Sequence, residues 1–234
     1  MASIIISRFN EDLSWLEHYK EKFNITIYNK GNELSKVSCG NIISLPNVGR
    51  ESHTWVHHIF NNYENLEDNN IFLQGKIDDL NCMAYQDLDL YINDLKKNEF
   101  SSSRLGLLGP FHWSHNVGIE KDSRYYSDWN NNKIRKSSLG FRNFAKTLFP
   151  EIPIFVATSY GGCFAVRKKA IQRNTKEFYG NLLSVLDNHQ NPIEGHYLER
   201  LWCYMFTKND YFLKSIKDVF KTKIERLFKV QLSL

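Results

Sequence analysis

Residues 47–52 (NVGRES) combine the residue types of an anion site with those of a helix start. Gly49 permits a tight turn, the first N–H groups of a helix lack partners inside it, and the Arg50 guanidinium suits the oxygens of a diphosphate. The same residues also suit a plain turn, in which Asn47 and Gly49 shape the backbone and Glu51 favours the helix dipole. The segment therefore predicts either a phosphate site or a structural turn.

A second polar cluster, residues 8–12 (RFNED), follows a short β-branched run. At the end of a first strand, the Arg8 guanidinium and the Asn10 amide can contact the base and ribose of a nucleotide. Asn10 can also cap a helix whose first turn contains Glu11 and Asp12, where carboxylates are favourable. The two interpretations are compatible.

Two carboxylates, Glu194 and Glu199, lie on either side of a His-Tyr-Leu sequence at 196–198. A carboxylate in a cleft can take the proton of an acceptor hydroxyl, which is the one proton transfer that an inverting sugar transfer needs. A surface Glu–Arg pair is the simpler interpretation, and the sequence alone favours it.

The histidines and acidic pairs do not form a clear metal motif. His53 and His57 share a helix face, but the residues between them lack the Glu of the zinc-hydrolase pattern. Acidic pairs occur at 78–79 and at 87 and 89, yet neither pair directly follows a predicted strand. We therefore expect no metal cofactor, and the alternative is a divalent ion such as Mn²⁺ or Mg²⁺ held by an acidic pair.

The composition argues against several classes of protein. The chain has 30 Lys and Arg against 26 Asp and Glu, a net charge of +4, which is too balanced for a protein devoted to nucleic acid. It carries no G-x-S-x-G elbow, P-loop or kinase signature. Its four cysteines are scattered without a C-x-x-C pair, which favours reduced thiols.

No segment predicts export or a membrane span. The apolar run near the start, residues 4–6, is too short for a signal peptide, and nothing approaches the roughly 20 apolar residues of a membrane helix. At 234 residues the chain is long enough for one sizeable core. We expect a cytoplasmic protein.

Short apolar runs alternate with helical patterns in the first part of the chain. Strands are predicted at 4–6, 25–28, 41–45 and 70–73, and helices at 11–23 and 50–63. This alternation indicates an α/β domain with a mostly parallel sheet, whose ligands bind beyond the carboxyl ends of the strands. The polar clusters at 8–11, 29–30, 47–51 and 74–76 follow those ends.

The later part of the chain is less regular. Residues 97–150 are rich in Ser, Asn and Gly and predict long loops with short elements. Strands are predicted at 154–157 and 163–166, followed by a helix through residue 178. Further helices are predicted at 182–186 and 196–206.

The tail, residues 207–234, is predicted to hold a basic amphipathic helix. Between 212 and 228 its apolar residues alternate with lysines and an arginine. A helix with this pattern can lie on the inner face of an anionic membrane. It can also pack on the domain and close its core. Removal from about residue 212 onward would weaken vesicle binding in the first case and unfold the chain in the second.

Six segments together form a specific pattern: residues 5–15 (IISRFNEDLSW), 27–31 (IYNKG), 45–63 (LPNVGRESHTWVHHIFNNY), 70–75 (NIFLQG), 163–179 (CFAVRKKAIQRNTKEFY) and 198–206 (LERLWCYMF). They resemble a family of GT-A-like glycosyltransferases that carry N-V-G-R-E-S/A and F-L-Q-G motifs. The resemblance implies a GT-A-like (Rossmann-like) α/β domain at 1–206, with a mostly parallel central sheet flanked by helices. The tail lies outside the resemblance.

The resemblance also implies a set of donor contacts at the strand ends. They are Arg8, Asn10, Glu11, Asn29, Lys30, Asn47, Gly49, Glu51, Gln74 and Gly75. Gln74 and Gly75 stand where other GT-A enzymes carry a D-x-D motif. The expected chemistry is therefore metal-independent, with Arg50 and Lys76 stabilising the leaving diphosphate.

The base and the acceptor contacts are expected near the end of the domain. The matching block raises Glu199 above Glu194 as the base, whereas the position of the acidic residue in the broader GT-A group favours Glu194. The acceptor contacts are expected to be Trp113, Tyr160, Gly161, Gly162, Arg200 and Trp202.

The implied activity is transfer of a sugar from a nucleotide-sugar donor to a hydroxyl of a glycan or lipid-linked glycan, as in polysaccharide biosynthesis. The alternative is a catalytically silent GT-A-like module that binds a nucleotide or a glycan. The missing D-x-D motif is the best support for this alternative.

Overall fold

The first strand is a β-branched run that is buried on both faces. In β1 (Ala2–Arg8), the side chains of Ile4, Ile5 and Ile6 are fully buried, as in a central strand of a parallel sheet covered on two sides. The computed structural model describes residues 2–34, 39–78, 84, 87–109 and 125–207. The other strands are β2 (Asn24–Asn29), β3 (Asn41–Ser44), β4 (Asn69–Gln74), β5 (Phe100–Ser101), β6 (Leu105–Leu108), β7 (Val156–Ser159) and β8 (Phe164–Arg167).

A 3-10 helix and several α-helices connect these strands. The 3-10 helix spans Ser14–Tyr19. The α-helices are α1 (Arg50–Asn62), α2 (Asp89–Leu95), α3 (Tyr126–Asn130), α4 (Phe141–Leu148), α5 (Lys168–Ile171), α6 (Lys176–Leu186) and α7 (Ile193–Thr207).

Six strands form one sheet in the order β3-β2-β1-β4-β8-β5. β1 pairs in parallel with β2 and β4, and β2 pairs in parallel with β3. β8 runs antiparallel to its two neighbours, β4 and β5. The central sheet is therefore mostly parallel, which confirms the predicted α/β class.

Helices flank the sheet on both faces. α1, α6 and α7 pack on the face that carries Ile5 and Phe72, and α2 and the 3-10 helix pack on the face that carries Ile4 and Ile71. Successive strand residues point to opposite faces, so each central strand contributes to both clusters. β6 and β7 form a separate antiparallel pair, and β7 packs against α7.

The segment at 11–23 was predicted as a helix, and it forms only the 3-10 helix at Ser14–Tyr19. The Asp12 carboxylate accepts hydrogen bonds from the Ser14 N–H at 3.2 Å and from its hydroxyl at 2.5 Å. This local turn competes with a regular helix start. Leu16 is nevertheless fully buried, so the apolar spacing identified the inward side.

The predicted helix through residue 178 is in fact two helices, α5 and α6. Thr175 begins α6, because its side chain accepts a hydrogen bond from the Phe178 N–H at 3.2 Å. The strand predicted at 154–157 begins two residues later, at Val156. α2 was not predicted.

In the part of the chain that the structure describes, no helix is long and apolar enough to cross a membrane. Apart from Thr207, the predicted tail lies outside the described residues.

Candidate functional site

The polar strand ends meet at one edge of the sheet. β1 ends at Arg8 beside Asn29 of β2, and on its other side Ser7 pairs with Gln74 at the end of β4. The chain leaves β1 toward β2 and β3 and then returns to β4 on the opposite side of β1. This change of direction is a topological switch point, where open α/β sheets bind their ligands.

The buried Arg8 side chain ties the loops after β1 and β2 together. Its guanidinium donates hydrogen bonds to Asn29 Oδ1 at 2.7 Å, to the Asn32 carbonyl at 3.0 Å and to the Glu11 carbonyl at 2.9 Å. The Asn10 side chain adds a further link, because its Oδ1 accepts from the Asn32 N–H at 2.9 Å. These contacts position the loops and leave few N–H groups of Arg8 for a ligand.

Lys30 joins the end of β2 to the start of α1. Its ammonium, in a side chain that is almost fully buried, donates to the Val48 carbonyl at 2.7 Å and to the Arg50 carbonyl at 2.5 Å. Burial lowers the pKa of Lys30 to about 7, although Glu51 and Asp187 partly oppose this shift. We call Arg8, Asn29 and Lys30 the brace.

A cavity of about 740 Å³ lies between the loop after β1 and the loop after β4. It is lined by Glu11, Asp12, Ser14, Trp15, Lys76, Ile77 and Asp78. Trp15 is fixed by a hydrogen bond of 2.9 Å from its Nε1 to the Gly75 carbonyl, and hydrogen bonds from Ser14 lower the pKa of Asp12. We call this space the switch-point cavity, since it lies at the carboxyl ends of β1 and β4.

The helix start at residues 49–50 has unusual backbone geometry. Gly49 has φ of 59° and Arg50 has φ of 51°, so both lie in the left-handed region. A Cβ on Gly49 would approach His53 Cβ to 2.6 Å, which explains the glycine. The Gly49 and Arg50 N–H groups donate to the carbonyls of residues 189 and 190 at 2.8 and 3.2 Å. These two N–H groups therefore serve the fold and not an anion.

The Arg50 guanidinium remains partly accessible, with 30% of its side chain exposed. Its Nε lies 3.4 Å from Glu51 Oε2, and one terminal nitrogen lies 3.2 Å from His196 Nε2. The carboxylate of Glu51 raises the pKa of Arg50 above the already high value of an arginine, so the side chain is always charged. Burial, with Arg50 and Arg200 nearby, holds the pKa of His196 well below its usual value, so the imidazole is neutral at pH 7.

The candidate base Glu199 is buried and already has two donors. Its Oε1 accepts from the Gly161 N–H at 3.0 Å, and its Oε2 accepts from Arg200 at 2.9 Å. Burial alone would raise the pKa of Glu199, but Arg200, the Gly161 N–H and Arg50 outweigh burial and lower it. Glu199 is therefore ionised, and its basicity is low.

Glu194 belongs to a different contact. It is buried and pairs with Arg135 at 2.9 Å, and Arg135 also donates to the Val185 carbonyl at 3.2 Å. The described contacts thus connect Glu199 to the end of β4, through Gly161 and Gln74, and give Glu194 no such connection.

The predicted acceptor residues 160–162 lie against the predicted donor residues. Gln74 Nε2 donates to the Gly161 carbonyl at 3.1 Å, and a Cβ on Gly162 would meet Glu51 at 3.2 Å. Gly161 and Gly162 have φ of 90° and 69°, which glycine adopts without strain. The structure therefore brings this loop, Gln74 and Glu51 together.

The remaining predicted contacts have different positions. The guanidinium of Arg200 lies over the Tyr160 ring, with its Cζ atom 6.0 Å from the centre of the ring. Trp202 is fully buried and stacks on Phe206, so its side chain forms part of the core and offers no surface to an acceptor. Asn47 is partly buried, and Lys76 is exposed on the switch-point cavity. Trp113 lies outside the described residues.

Sequence analysis did not assign Ser14, Trp15, Ile77 or His196 to the site. Trp15 follows the first strand end closely enough to have been suspected, but its bond to Gly75 links positions 60 apart in sequence. His196 contacts Arg50 across 146 positions, and no local pattern reveals such a contact. Among the described residues, no group of three or more His, Cys, Asp or Glu is arranged to hold a metal ion.

The chain belongs to the family described as Protein of unknown function (DUF3431), whose model matches residues 4–221. The match includes the strand ends, the switch-point cavity and α7, and it continues into the tail. No curated protein matches the chain.

Proposed function

We propose that this DUF3431 member is a glycosyltransferase of the GT-A type that transfers a sugar from a nucleotide-sugar donor to a glycan hydroxyl. The observation that carries the proposal is the switch-point cavity. It lies where open α/β sheets bind nucleotides, and its volume of about 740 Å³ suits a ligand of that size. The resemblance of the six segments supports the same assignment by analogy.

The cavity lining suits the nucleoside half of such a donor. Trp15 offers an aromatic surface to a base, and the carboxylates of Glu11 and Asp12 can accept hydrogen bonds from ribose hydroxyls. The diphosphate needs cations, which Lys76 and Arg50 supply. The brace acts indirectly, because its polar atoms hold the loops that form the cavity.

The acceptor belongs on the other side of Gln74, at Tyr160, Gly161 and Gly162. A surface, capsular or lipid-linked glycan is the acceptor class that we propose, with transfer at the cytoplasmic face of a membrane and without a metal. Glu199 is the stronger candidate for the base, because it contacts Gly161, whereas Glu194 pairs with Arg135.

A specific observation favours a second candidate function, a catalytically silent module that binds a nucleotide or glycan. Both carboxylate oxygens of Glu199 are engaged, and the pKa of Glu199 is lowered. A general base works best with a pKa near the working pH, so Glu199 would have to leave Arg200 before it could accept a proton.

The first experiment is a calorimetric and thermal-shift screen of the full chain against UDP, GDP, ADP and CDP sugars, with and without Mn²⁺. We expect one donor to bind and to raise the melting temperature without Mn²⁺. Arg50→Ala should weaken this binding by more than tenfold, and the matched control is Arg142→Ala on the exposed side of α4. Absence of a shift with every donor would contradict the transferase and the nucleotide-binding module, and would leave only a module that binds glycan alone.

The second experiment separates transfer from silent binding by measuring sugar release from the donor that binds. If Glu199 is the base of an inverting transfer, Glu199→Gln should lower kcat by roughly 10²-fold to 10⁴-fold with little change in donor affinity. Glu194→Gln is the control at a buried glutamate that has another Arg partner. Donor binding without turnover by the wild-type chain, with acceptor present, would favour the silent module.

A further inference from the structure

A second cavity lies at the opposite end of the sheet from the proposed active site. It has a volume of about 360 Å³ and is lined by Asp68, Asn69, Arg167, Lys168, Lys169 and Gln172. Asn69 begins β4 and Arg167 ends the antiparallel β8, so the two strands meet here at the amino end of β4. We call this space the basic pocket.

The charged residues that line the basic pocket are predominantly positive. Arg167, Lys168 and Lys169 face one lining carboxylate, Asp68. Just outside the lining, Glu99 pairs with Lys169 at 2.8 Å and also with Arg173. These contacts leave an excess of cations, which favours an anionic ligand.

Among the lining residues, Arg167 is the strongest candidate to donate hydrogen bonds to a ligand. Its Nε is buried and has no hydrogen-bond partner, and its guanidinium forms no hydrogen bond or ion pair with a described residue. The terminal nitrogens of this guanidinium are not among the buried atoms, so the side chain can present them to an oxyanion in the pocket. Lys168 can contribute as well, because its ammonium donates to a neutral carbonyl, that of Glu64, at 2.7 Å.

The basic pocket is adjacent to the place where the described chain ends. Arg173, next to the lining residue Gln172, donates a hydrogen bond of 3.0 Å to the Phe206 carbonyl in the last turn of α7. The sequence after Thr207 carries Lys214, Lys217, Lys221, Lys223 and Arg226 among apolar residues. In the sequence, this second group of cations therefore begins eight positions after Phe206.

We infer that the basic pocket binds the phosphate of an anionic lipid headgroup and that this face of the domain docks on a membrane. Arg167 offers the fork that recognises phosphate oxygens, and the lysines add point charges. A free phosphate metabolite would satisfy the same donors, but the basic amphipathic sequence directly after α7 favours a lipid surface as its source. This inference does not depend on the proposed transferase activity.

The test is co-sedimentation of the full chain with phosphatidylcholine vesicles that contain or lack 30% phosphatidylserine. We expect binding only to the anionic vesicles. The double variant Arg167→Gln, Lys169→Gln should reduce that binding by about 30-fold, at roughly fivefold for each cation close to an anionic surface. The control is Arg142→Gln, Lys146→Gln, which removes the same charges from exposed positions on α4 and should reduce binding less than threefold.

Further outcomes of these measurements would overturn the inference. Equal losses in the two double variants would overturn the pocket and indicate general electrostatics. Calorimetric binding of inorganic phosphate without any binding to anionic vesicles would overturn the lipid assignment. If the pocket variant does not fold, acetylation of the wild-type chain provides a second measurement. Anionic vesicles should then protect Lys169 more than Lys146, and equal protection would contradict the inference.

Discussion

The brace and the switch-point cavity lie at the same edge of the sheet and use their polar residues in opposite ways. Each member of the brace is more than nine-tenths buried, and its polar atoms are bonded to neighbouring loops. Lys76 and Asp78 in the cavity are exposed. A polar residue after a strand can therefore stabilise the loops or face a ligand, and its residue type does not distinguish these roles.

This difference gives two separate expectations for variants. Changes in the brace should mainly lower the free energy of unfolding. They should affect nucleotide binding only by displacing the loops that form the cavity. Changes in the cavity lining should alter nucleotide binding and leave the free energy of unfolding nearly unchanged. A variant that reversed this pattern would show that the division is wrong.

The largest effect is expected for Gly31→Ala, next to the brace. A Cβ at Gly31 would lie 1.4 Å from the Phe9 carbonyl oxygen, so the backbone after β1 would have to move. We expect a loss of about 3 kcal/mol in the free energy of unfolding, measured by urea denaturation. The matched control is Gly140→Ala, where a Cβ has no atom within 4 Å and the loss should be below about 1 kcal/mol. Similar losses in both variants would contradict the crowding at Gly31.

The next effect is expected for Lys30→Met, which leaves the Val48 and Arg50 carbonyls without their donor. We expect a loss of about 2 kcal/mol in the free energy of unfolding at pH 8. Burial lowers the pKa of Lys30 from 10.5 to about 7, so between these pH values the unfolded chain binds a proton that the folded chain lacks. Stability from this group therefore rises with pH over that window, by at most about 1.4 kcal/mol per pH unit.

Urea denaturation of both proteins from pH 6 to pH 10 measures this dependence. The wild-type chain should gain stability relative to Lys30→Met as pH rises above 7, and below pH 7 the difference should be constant. Lys96→Met, at an exposed lysine after α2, is the control for the change of residue type. A constant difference across the whole range would mean that Lys30 keeps its proton in the folded chain.

The sequence predicted the strand ends well and their contacts poorly. β1, β2, β3, β4 and α1 were located by local apolar spacing, which depends on residues within one element. The antiparallel direction of β8 and the pairing of Glu194 with Arg135 depend on contacts between distant segments, which no local pattern encodes. The left-handed Arg50 was also not foreseeable, because the carbonyls of residues 189 and 190 hold its backbone in place.

A moderate effect on binding is expected for Lys76→Ala in the cavity lining. Lys76 is exposed, so the free energy of unfolding should change by less than about 0.5 kcal/mol. Affinity for the nucleoside diphosphate of the preferred donor should fall about tenfold, equivalent to about 1.4 kcal/mol, because one ammonium is lost. Calorimetry measures this change, and Lys146→Ala is the control. If affinity is unchanged, Lys76 does not contact the diphosphate.

The smallest effect is expected for Glu11→Gln, which tests the boundary between the brace and the cavity. Glu11 lines the cavity, and its Oε2 also accepts a hydrogen bond of 2.7 Å from the Phe9 N–H. Glutamine keeps an acceptor for that N–H, so the free energy of unfolding should fall by less than about 1 kcal/mol.

The ligand to use with Glu11→Gln is the uncharged nucleoside of the preferred donor, because removal of a negative charge would strengthen the binding of any phosphate. If Glu11 accepts hydrogen bonds from the ribose, nucleoside affinity should fall about threefold, or roughly 0.7 kcal/mol, since a neutral amide is the weaker acceptor. A loss of several kcal/mol in stability with unchanged affinity would instead place Glu11 in the brace. The calorimetric comparison thus measures whether one side chain serves the fold or the ligand, and the hydrogen bond to Phe9 shows why it can serve both.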